Sequence, residues 1–523
     1  MGGITTVVLL VMLGTAVATG ARHWSVPAPS LLVVAGVLVG LVPFVPDLHV
    51  PPELISTVVL PPLLYASATE IPWRELRRMW RPVTVLVLGL VLMTAFAIGA
   101  VAVWLTPMGA ATAFVLGAVL ASTDPVAVTA LGRKLPLPPR VQILVQSESL
   151  FNDASSLVLF KVAIGMAVAG GAVSLPAAGG EFLLLAGGGA AVGAAVAGVV
   201  ALLRSRTEDP VLETVIALVT PYASYVVGEQ LHTSGVTAVV VCGVMLGSLG
   251  HRLTSPRIRL QVHAVYDIVV FILESAVFAV IGLELPSLVA GLKADEGGWW
   301  WQALVLAAVA VAARMLWVFP LSAAMQKRRG ATTLSWRVPA VMAWAGTRGV
   351  MPLAAALSIP YVTDDGSPLP YRELVLVLTT AVVVITLVGQ GFTLGTVVRR
   401  SGIALEPADT AKEEAEALAL ISMAGLARLR ETTGVGPQDS ADDDEVVVEQ
   451  IRRALEARLA HAESGPDAPT GPTPLDRYRT LRRDVLAAET AELQHLYVTG
   501  KVPDAVRQRI LHALDLEEAT LGA

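Results

Sequence analysis

Stretches of about 20 apolar residues recur from the start of this chain to about residue 398, and each is long enough to cross a bilayer as a helix. No other feature constrains the fold as strongly. Lipid cannot hydrogen-bond a backbone, so a chain built of such runs must satisfy its own amides within helices. Composition agrees. Hydrophobic residues make up 54% and charged residues 15% of the 523, where a soluble domain carries about 25% charge. Most of the chain has no water-facing surface to cover.

The runs predict an all-α membrane protein of about 13 transmembrane helices, over about 3–21, 26–46, 53–71, 82–105, 109–131, 139–170, 178–203, 210–229, 233–250, 262–284, 299–323, 338–359 and 373–398. The first run has no basic stretch ahead of it, so a membrane helix is expected there rather than a cleaved signal. Alternate loops carry Arg22; Arg74, Arg77, Arg78 and Arg81; Arg133, Lys134 and Arg140; Arg204 and Arg206; Arg252, Arg257 and Arg259; Lys327, Arg328, Arg329 and Arg337; and Arg399 and Arg400. The other loops hold only Lys293 and Arg372. The basic set belongs in the cytoplasm. The expectation is a multi-pass protein of the inner (plasma) membrane, N-terminus outside and C-terminus inside, which requires an odd number of spans.

Charge divides the chain in two. Residues 1–400 hold 24 of its 37 Lys/Arg and 20 of its 43 Asp/Glu; residues 401–523 hold 13 and 23. The second part is expected to be an acidic, helical cytoplasmic region. Its helical patterning covers 409–432, 444–463, 475–499 and 503–520, with solvated joints at Asp442–Asp444 and at the Pro/Gly-rich 464–474. The single cysteine, Cys242, excludes an intrachain disulfide framework and a cysteine zinc site. Aromatics at 5% disfavour a base-stacking platform, so no nucleic-acid partner is expected. No nucleotide-binding loop, nucleophile, metal set or cofactor motif is present, which disfavours ATP-driven pumping and enzymatic activity and predicts no cofactor.

Ionisable residues inside a span cost about 2.5–3.5 kcal/mol on insertion scales and mark a pathway by default. In the fifth expected helix, "STDPVA" (122–127) sets Asp124 at mid-span. Pro125 breaks the backbone ladder beside the Ser122 and Thr123 hydroxyls. Freed carbonyls, hydroxyls and a carboxylate are the oxygen ligands of a hard cation; the plainer reading is a proline kink repaired by its polar neighbours. In the sixth, "QSESLFNDASS" (146–156) puts Ser149, Asn152, Asp153 and Ser156 on one face, flanked by Glu148. A structural polar seam is the alternative. A carboxylate removed from water is stabilised by either a proton or a metal ion, and Asp153 is the best-placed group for that competition.

Two arginines complete the set. Arg314 lies in the eleventh helix, with Glu148 its natural partner. Arg348 lies in "AGTRGVMP" (345–352), where Gly346, Gly349 and Pro352 predict a second interruption whose carbonyls Arg348 can cap. Snorkelling to an interface is the competing explanation for either. Lys161, Asp267, Glu274 and Glu284 are lesser candidates, with Asp267 and Glu284 read as lying near helix ends. His232, His251 and His263 are read as loop residues without metal spacing. The fifth and twelfth helices lie seven apart in the count and therefore run oppositely, the pattern of inverted repeats around a transporter's binding site.

"LPPLLYASA" (60–68), "STDPVA", "ESLFNDASSLVLF" (148–160) and "WAGTRGVMPLAAAL" (344–357) resemble the cation:proton antiporter-1 family, bacterial sodium/proton antiporters of the NhaP type and relatives of the eukaryotic sodium/proton exchangers. The resemblance covers roughly residues 5–400. It implies thirteen helices in a core and a dimerisation domain, with the fifth and twelfth unwound and crossing near the ion. Asp153 resembles the ion- and proton-binding aspartate, and Asp124, Thr123 and Ser149 its neighbours, so Asp153 and Asp124 are the expected carboxylates for transported Na⁺. Asn152 stands where electrogenic relatives carry a second aspartate, which implies electroneutral exchange. Glu148 with Arg314 resembles the family's structural ion pair, and Arg348 the arginine of the second broken helix. The implied partners are Na⁺ (with Li⁺ or K⁺ as alternatives), H⁺, membrane lipid and a second copy of the chain; the implied motion is elevator-like. One departure is Ala66, where some archaeal members have an acid; Glu70 follows one turn later. From another class, a channel or sensor with the tail as output, or an organic-anion carrier using Arg348, remains the alternative reading.

Overall fold

The protein is described by a computed structural model. It describes parts of 12–20, then 28–42, 55–71, 73, 77, 80–123, 139–168, 175–207, 209–292, 298–328, 335–363, 366–403, 407–433, 443–464, 474–499 and parts of 501–518. The chain forms two compact units, Met1–Ala404 and Leu405–Ala523.

In the first unit the helices are α1 Ala28–Gly40, α2 Leu60–Thr69 (entered through a π-helical turn, Ile55–Val59), α3 Trp80–Leu105, α4 Ala110–Leu120, α5 Pro139–Val168, α6 Leu175–Arg204 and α7 Pro210–Gln230. They continue as α8 Gly235–Leu253, α9 Pro256–Gly291, α10 Trp299–Arg328, α11 Arg337–Trp344, α12 Val350–Leu357 and α13 Arg372–Ser401. Among the described residues, seven helices are long and apolar enough to cross a membrane.

Local chemistry sets the ends of these helices. Asp209 caps α7 by accepting from the N–H groups of Val211 (2.7 Å) and Leu212 (3.2 Å), with Pro210 at the first helical position. Ser234 caps α8 through the N–H of Thr237 at 3.1 Å. Gly402 ends α13 in the left-handed region at φ 61°. Inside α7, Pro221 lacks the N–H that would bond the Ala217 carbonyl. The Tyr266 hydroxyl of α9 donates to that carbonyl at 2.7 Å, so one helix repairs the proline defect of another.

The helices of this unit pack in two sets. α3, α4, α5, α10, α11, α12 and α13 pack mainly among themselves, as do α1, α2, α6, α7, α8 and α9, and the sets touch where α9 meets α12 and α13 and where α5 meets α6 and α8. Small residues permit the closest approaches. A Cβ on Gly36 of α1 would lie 2.9 Å from the Cα of Gly282 in α9, and one on Gly282 would lie 2.8 Å from the Cα of Gly36, so neither position admits a side chain without separating the pair.

Some sequence expectations need correction. The tenth helix, expected over about 262–284, is Pro256–Gly291, 36 residues long. Ser255 and Pro256 start it early, and the Arg259 guanidinium donates to the Thr254 carbonyl at 2.8 Å instead of sitting in a loop. Asp267 and Glu284 therefore lie within the helix rather than near its ends, and His263 is helical. His251 falls in the last turns of α8. Arg204, read as a loop charge, is buried against Glu213, with Nε 2.7 Å from Oε2.

The second unit holds α14 Pro407–Thr433, α15 Asp443–Ser464 and α16 Pro474–Val498. α14 packs on α15. Arg482 of α16 donates to Glu517 at 2.7 Å and holds that carboxyl below its ordinary range.

Candidate functional site

α4 stops after Leu120; Ala121 caps it with helical dihedrals, and Ser122 and Thr123 follow outside the helix. The twelfth expected span is split as anticipated, into α11 and α12 with Ala345–Gly349 between them. Breaks of this kind leave carbonyls and amides without intrahelical partners. In a water-poor interior each must be satisfied by a side chain.

Two arginines supply those partners. Arg348 Nε donates to the Leu120 carbonyl at 3.2 Å and Nη1 to the Gly346 carbonyl at 2.7 Å. One guanidinium thus ties the end of α4 to the break beyond α11. The Arg348 amide is itself 3.4 Å from the Thr386 hydroxyl of α13. Arg314, from α10, reaches the end of α11, where Nε and Nη2 donate to the Met342 carbonyl at 3.1 and 2.9 Å. Helix C-termini carry negative partial charge, so these ends are suited to hold buried cations. Both arginines are 1% exposed, which excludes snorkelling for either.

The polar face of α5 lies against this junction. Glu148 takes Arg314 in a two-pronged pair, Nη1 to Oε1 at 2.5 Å and Nη2 to Oε2 at 2.7 Å. One turn on, Asn152 Nδ2 donates to Glu148 Oε1 at 2.8 Å and to Thr123 Oγ1 at 3.0 Å. Its own Oδ1 is buried without a hydrogen-bond partner among the described residues. Ser149 donates to the Thr123 carbonyl, and Ser122 donates to Asp153 Oδ1. Asp153, at 8% exposure, is more accessible than Asn152 at 0% and Glu148 at 1%. Glu148 is committed to a guanidinium. Asp153 Oδ1 instead accepts from the Ser122 hydroxyl, and carboxylate and hydroxyl oxygens are the ligands a hard cation prefers.

The structure therefore brings together Thr123, Glu148, Ser149, Asn152, Asp153, Arg314 and Arg348. Asp124 lies outside the described residues. Ala66 is half-buried on α2, and Glu70 caps the C-terminus of that helix at the surface. Glu274, with Glu70 and Asp267, lines a cavity of about 720 Å³ between α2, α8 and α9 that includes none of the residues around Asp153. Sequence reasoning missed two partnerships. Lys161, two turns beyond Asp153, forms an ion pair with Glu229 at the end of α7. Glu213, 0% exposed, is the partner of Arg204. An acid within an apolar run was the available signal for both.

Gly346 has its own consequence. A Cβ there would lie 2.3 Å from Arg314 Nε, and that side chain is held at both ends and cannot swing away. Gly346→Ala is expected to destabilise the protein by about 1–3 kcal/mol, read as a lower melting temperature in detergent.

The sodium/hydrogen exchanger transmembrane family matches residues 7–400, about three quarters of the chain. This chain belongs to that family. As a sodium/hydrogen exchanger family member it is a multi-pass membrane protein, and the resemblance seen in the motifs holds. Among curated proteins it is 31% identical to an uncharacterized Na(+)/H(+) exchanger of Mycobacterium bovis, over 99% of this chain and 97% of that one. It is also 31% identical to the Na(+)/H(+) antiporter ApNhaP of Aphanothece halophytica, over 76% of this chain and 74% of that one. The sodium proton antiporter MjNhaP1 of Methanocaldococcus jannaschii has the same fold, with a TM-score of 0.62 at 21% identity, covering 76% of this chain and 98% of that one.

Proposed function

We propose that this family member is a secondary antiporter, not an enzyme, that exchanges Na⁺ for H⁺ with Asp153 as the shared site. The observation that carries the reading is the placement of Asp153 against the C-terminal end of α4, with Arg348 joining that end to the break between α11 and α12. Proton and cation compete for one carboxylate: the protonated acid is neutral and tolerates a dry environment, and the ionised acid is neutralised by the metal ion. Each form can cross with the site, while the bare anion cannot. Thr123 and Ser149 supply oxygens beside it, and the family resemblance adds Asp124 as the second carboxylate. Glu148, Asn152, Arg314 and Arg348 hold the geometry. Asn152 in place of a second acid favours one cation for one proton, an electroneutral exchange.

The finer architecture in this proposal is thirteen spans in two inverted repeats, a homodimer in the inner membrane, an outside N-terminus and a cytoplasmic tail over 401–523. Packing in two helix sets supports an elevator-like motion of the site-bearing set against the other. Lys161 of α5 and Glu229 of α7 span the two sets. With both replaced by Cys, a bis-maleimide linking them is expected to stop exchange, and a reducible linker to restore it on reduction. Cys242, the native cysteine, is buried. Undiminished exchange in linked protein would refute the motion while leaving the site intact.

Proton movement in everted vesicles of an antiporter-deficient strain tests the function. Na⁺ is expected to raise the internal pH in vesicles holding this protein. A second reading, K⁺ or Li⁺ exchange, is favoured by Ala66 and by a Bacillus pumilus relative, 31% identical over 69% of this chain, named a sodium, potassium, lithium and rubidium/H(+) antiporter. A larger response to K⁺ than to Na⁺ would select it. Silence with every cation would sink the antiport proposal.

A further inference from the structure

Two cavities meet along α3 and α5. The first, about 510 Å³, begins at the exposed Trp73 and Arg77 and runs past Thr84 and Val87 to Phe151. The second, about 700 Å³, continues between α3, α5 and α6, walled by Leu92, Phe96, Leu159 and Phe182. Leu88 and Ser155 line both, so the two adjoin at those side chains.

The lining follows one stripe on each helix. On α3 it runs from Val83 through Val87, Leu92 and Phe96 to Val103, a rise of about 30 Å. On α5 it recurs at Phe151, Ser155, Leu159, Val162 and Met166. Both helices are long and apolar enough to span a membrane. The groove thus has a cationic and indole end followed by apolar wall longer than the roughly 15 Å of one leaflet's hydrocarbon. Trp at that end is the residue type that settles at the headgroup level, and Arg is the side chain that pairs with phosphate oxygens.

We infer that this groove is a phospholipid site, with the lipid phosphate at Arg77 and an acyl chain lying along α3 and α5. Charge complementarity and the order of polar then apolar wall select a phospholipid over a second copy of the chain. Phe151 and Ser155 bracket Asn152 and Asp153 in sequence, so the lipid abuts the helix that carries the candidate site. The assignment does not depend on which ion is transported.

Native mass spectrometry of the detergent-purified full chain, titrated with dioleoyl phosphatidylglycerol, tests it. A saturable first lipid adduct is expected. Arg77→Ala should weaken it about fivefold, the worth of one basic residue near an anionic lipid. Leu88→Trp, at the junction of the two cavities, should remove it. Val219→Trp, at an exposed position on α7, should leave it unchanged. Arg77 and Leu88 are themselves exposed, and unchanged melting temperatures would show that both variants fold. Equal adducts in all four proteins, meaning nonspecific annular lipid only, would overturn the assignment. So would a Leu88→Trp protein that loses its dimer instead of its lipid.

Discussion

Asp153→Asn is expected to reduce cation-driven proton movement to the level of vesicles without the protein, at unchanged abundance in the membrane. The amide keeps the size of the carboxylate and an oxygen that can accept from Ser122. It cannot take up a proton in place of a cation, and it cannot neutralise a bound cation. Folding should therefore hold within about 1 kcal/mol, the net worth of one hydrogen bond, while exchange is lost. Dye-detected pH change in everted vesicles, beside a melting curve of the purified variant, separates the two effects. Exchange at the wild-type rate would remove Asp153 from the proposed mechanism. Asp153→Glu is a useful companion, because it retains the titrating group and shifts it by one methylene.

The largest stability effect is expected at the Glu148–Arg314 pair. Both residues are 1% exposed and joined by two hydrogen bonds. Removing one partner leaves a charge in a medium that cannot solvate it, at a cost of about 3–5 kcal/mol. Glu148→Leu strands the Arg314 guanidinium and leaves Asn152 Nδ2 with only Thr123. Arg314→Leu strands the Glu148 carboxylate and also uncaps the Met342 carbonyl at the end of α11. Either single variant should fall well below wild type in melting temperature and in yield. The double variant should recover much of that loss, since replacing a buried pair by apolar residues is far milder than breaking it. Recovery should be incomplete because the Met342 carbonyl and Asn152 remain under-satisfied, about 1–3 kcal/mol for a buried unpaired polar group. A double variant less stable than both singles would refute this account of the pair.

Much of the candidate site is legible along the chain, for local reasons. The polar face of α5 follows from three- and four-residue spacing between Ser149, Asn152, Asp153 and Ser156. The break in the twelfth span follows from Gly346, Gly349 and Pro352, and the helix divides there. The tail helices over 409–432, 444–463 and 475–499 match α14, α15 and α16 within two residues at each end. Helix ends next to basic residues are less legible. A membrane boundary changes the solvent but not the backbone, so α9 continues through Arg257 and Arg259 to Pro256. Arg204 is misread for a related reason: its apolar run ends there, but a partner from another helix keeps it buried.

The order of residues was thus enough to establish an all-helical membrane chain of the sodium/hydrogen exchanger family, and to mark which residues are too polar for their spans. Hydropathy, helical periodicity and the backbone limits of Gly and Pro act over a few turns, so they can be read along the chain. The Arg314–Glu148 pairing is expected from two opposite charges inside spans and is formed, whereas the partners of Arg348, Asn152 and Asp153 were settled by packing alone. Arg348 reaches a carbonyl 228 positions away at Leu120, and Arg314 reaches Glu148 across 166. No periodicity links such positions. They are joined because every broken helix end and every buried charge in a water-poor interior must find a partner, and the arrangement of α4, α5, α10 and α11 determines which partner is within reach.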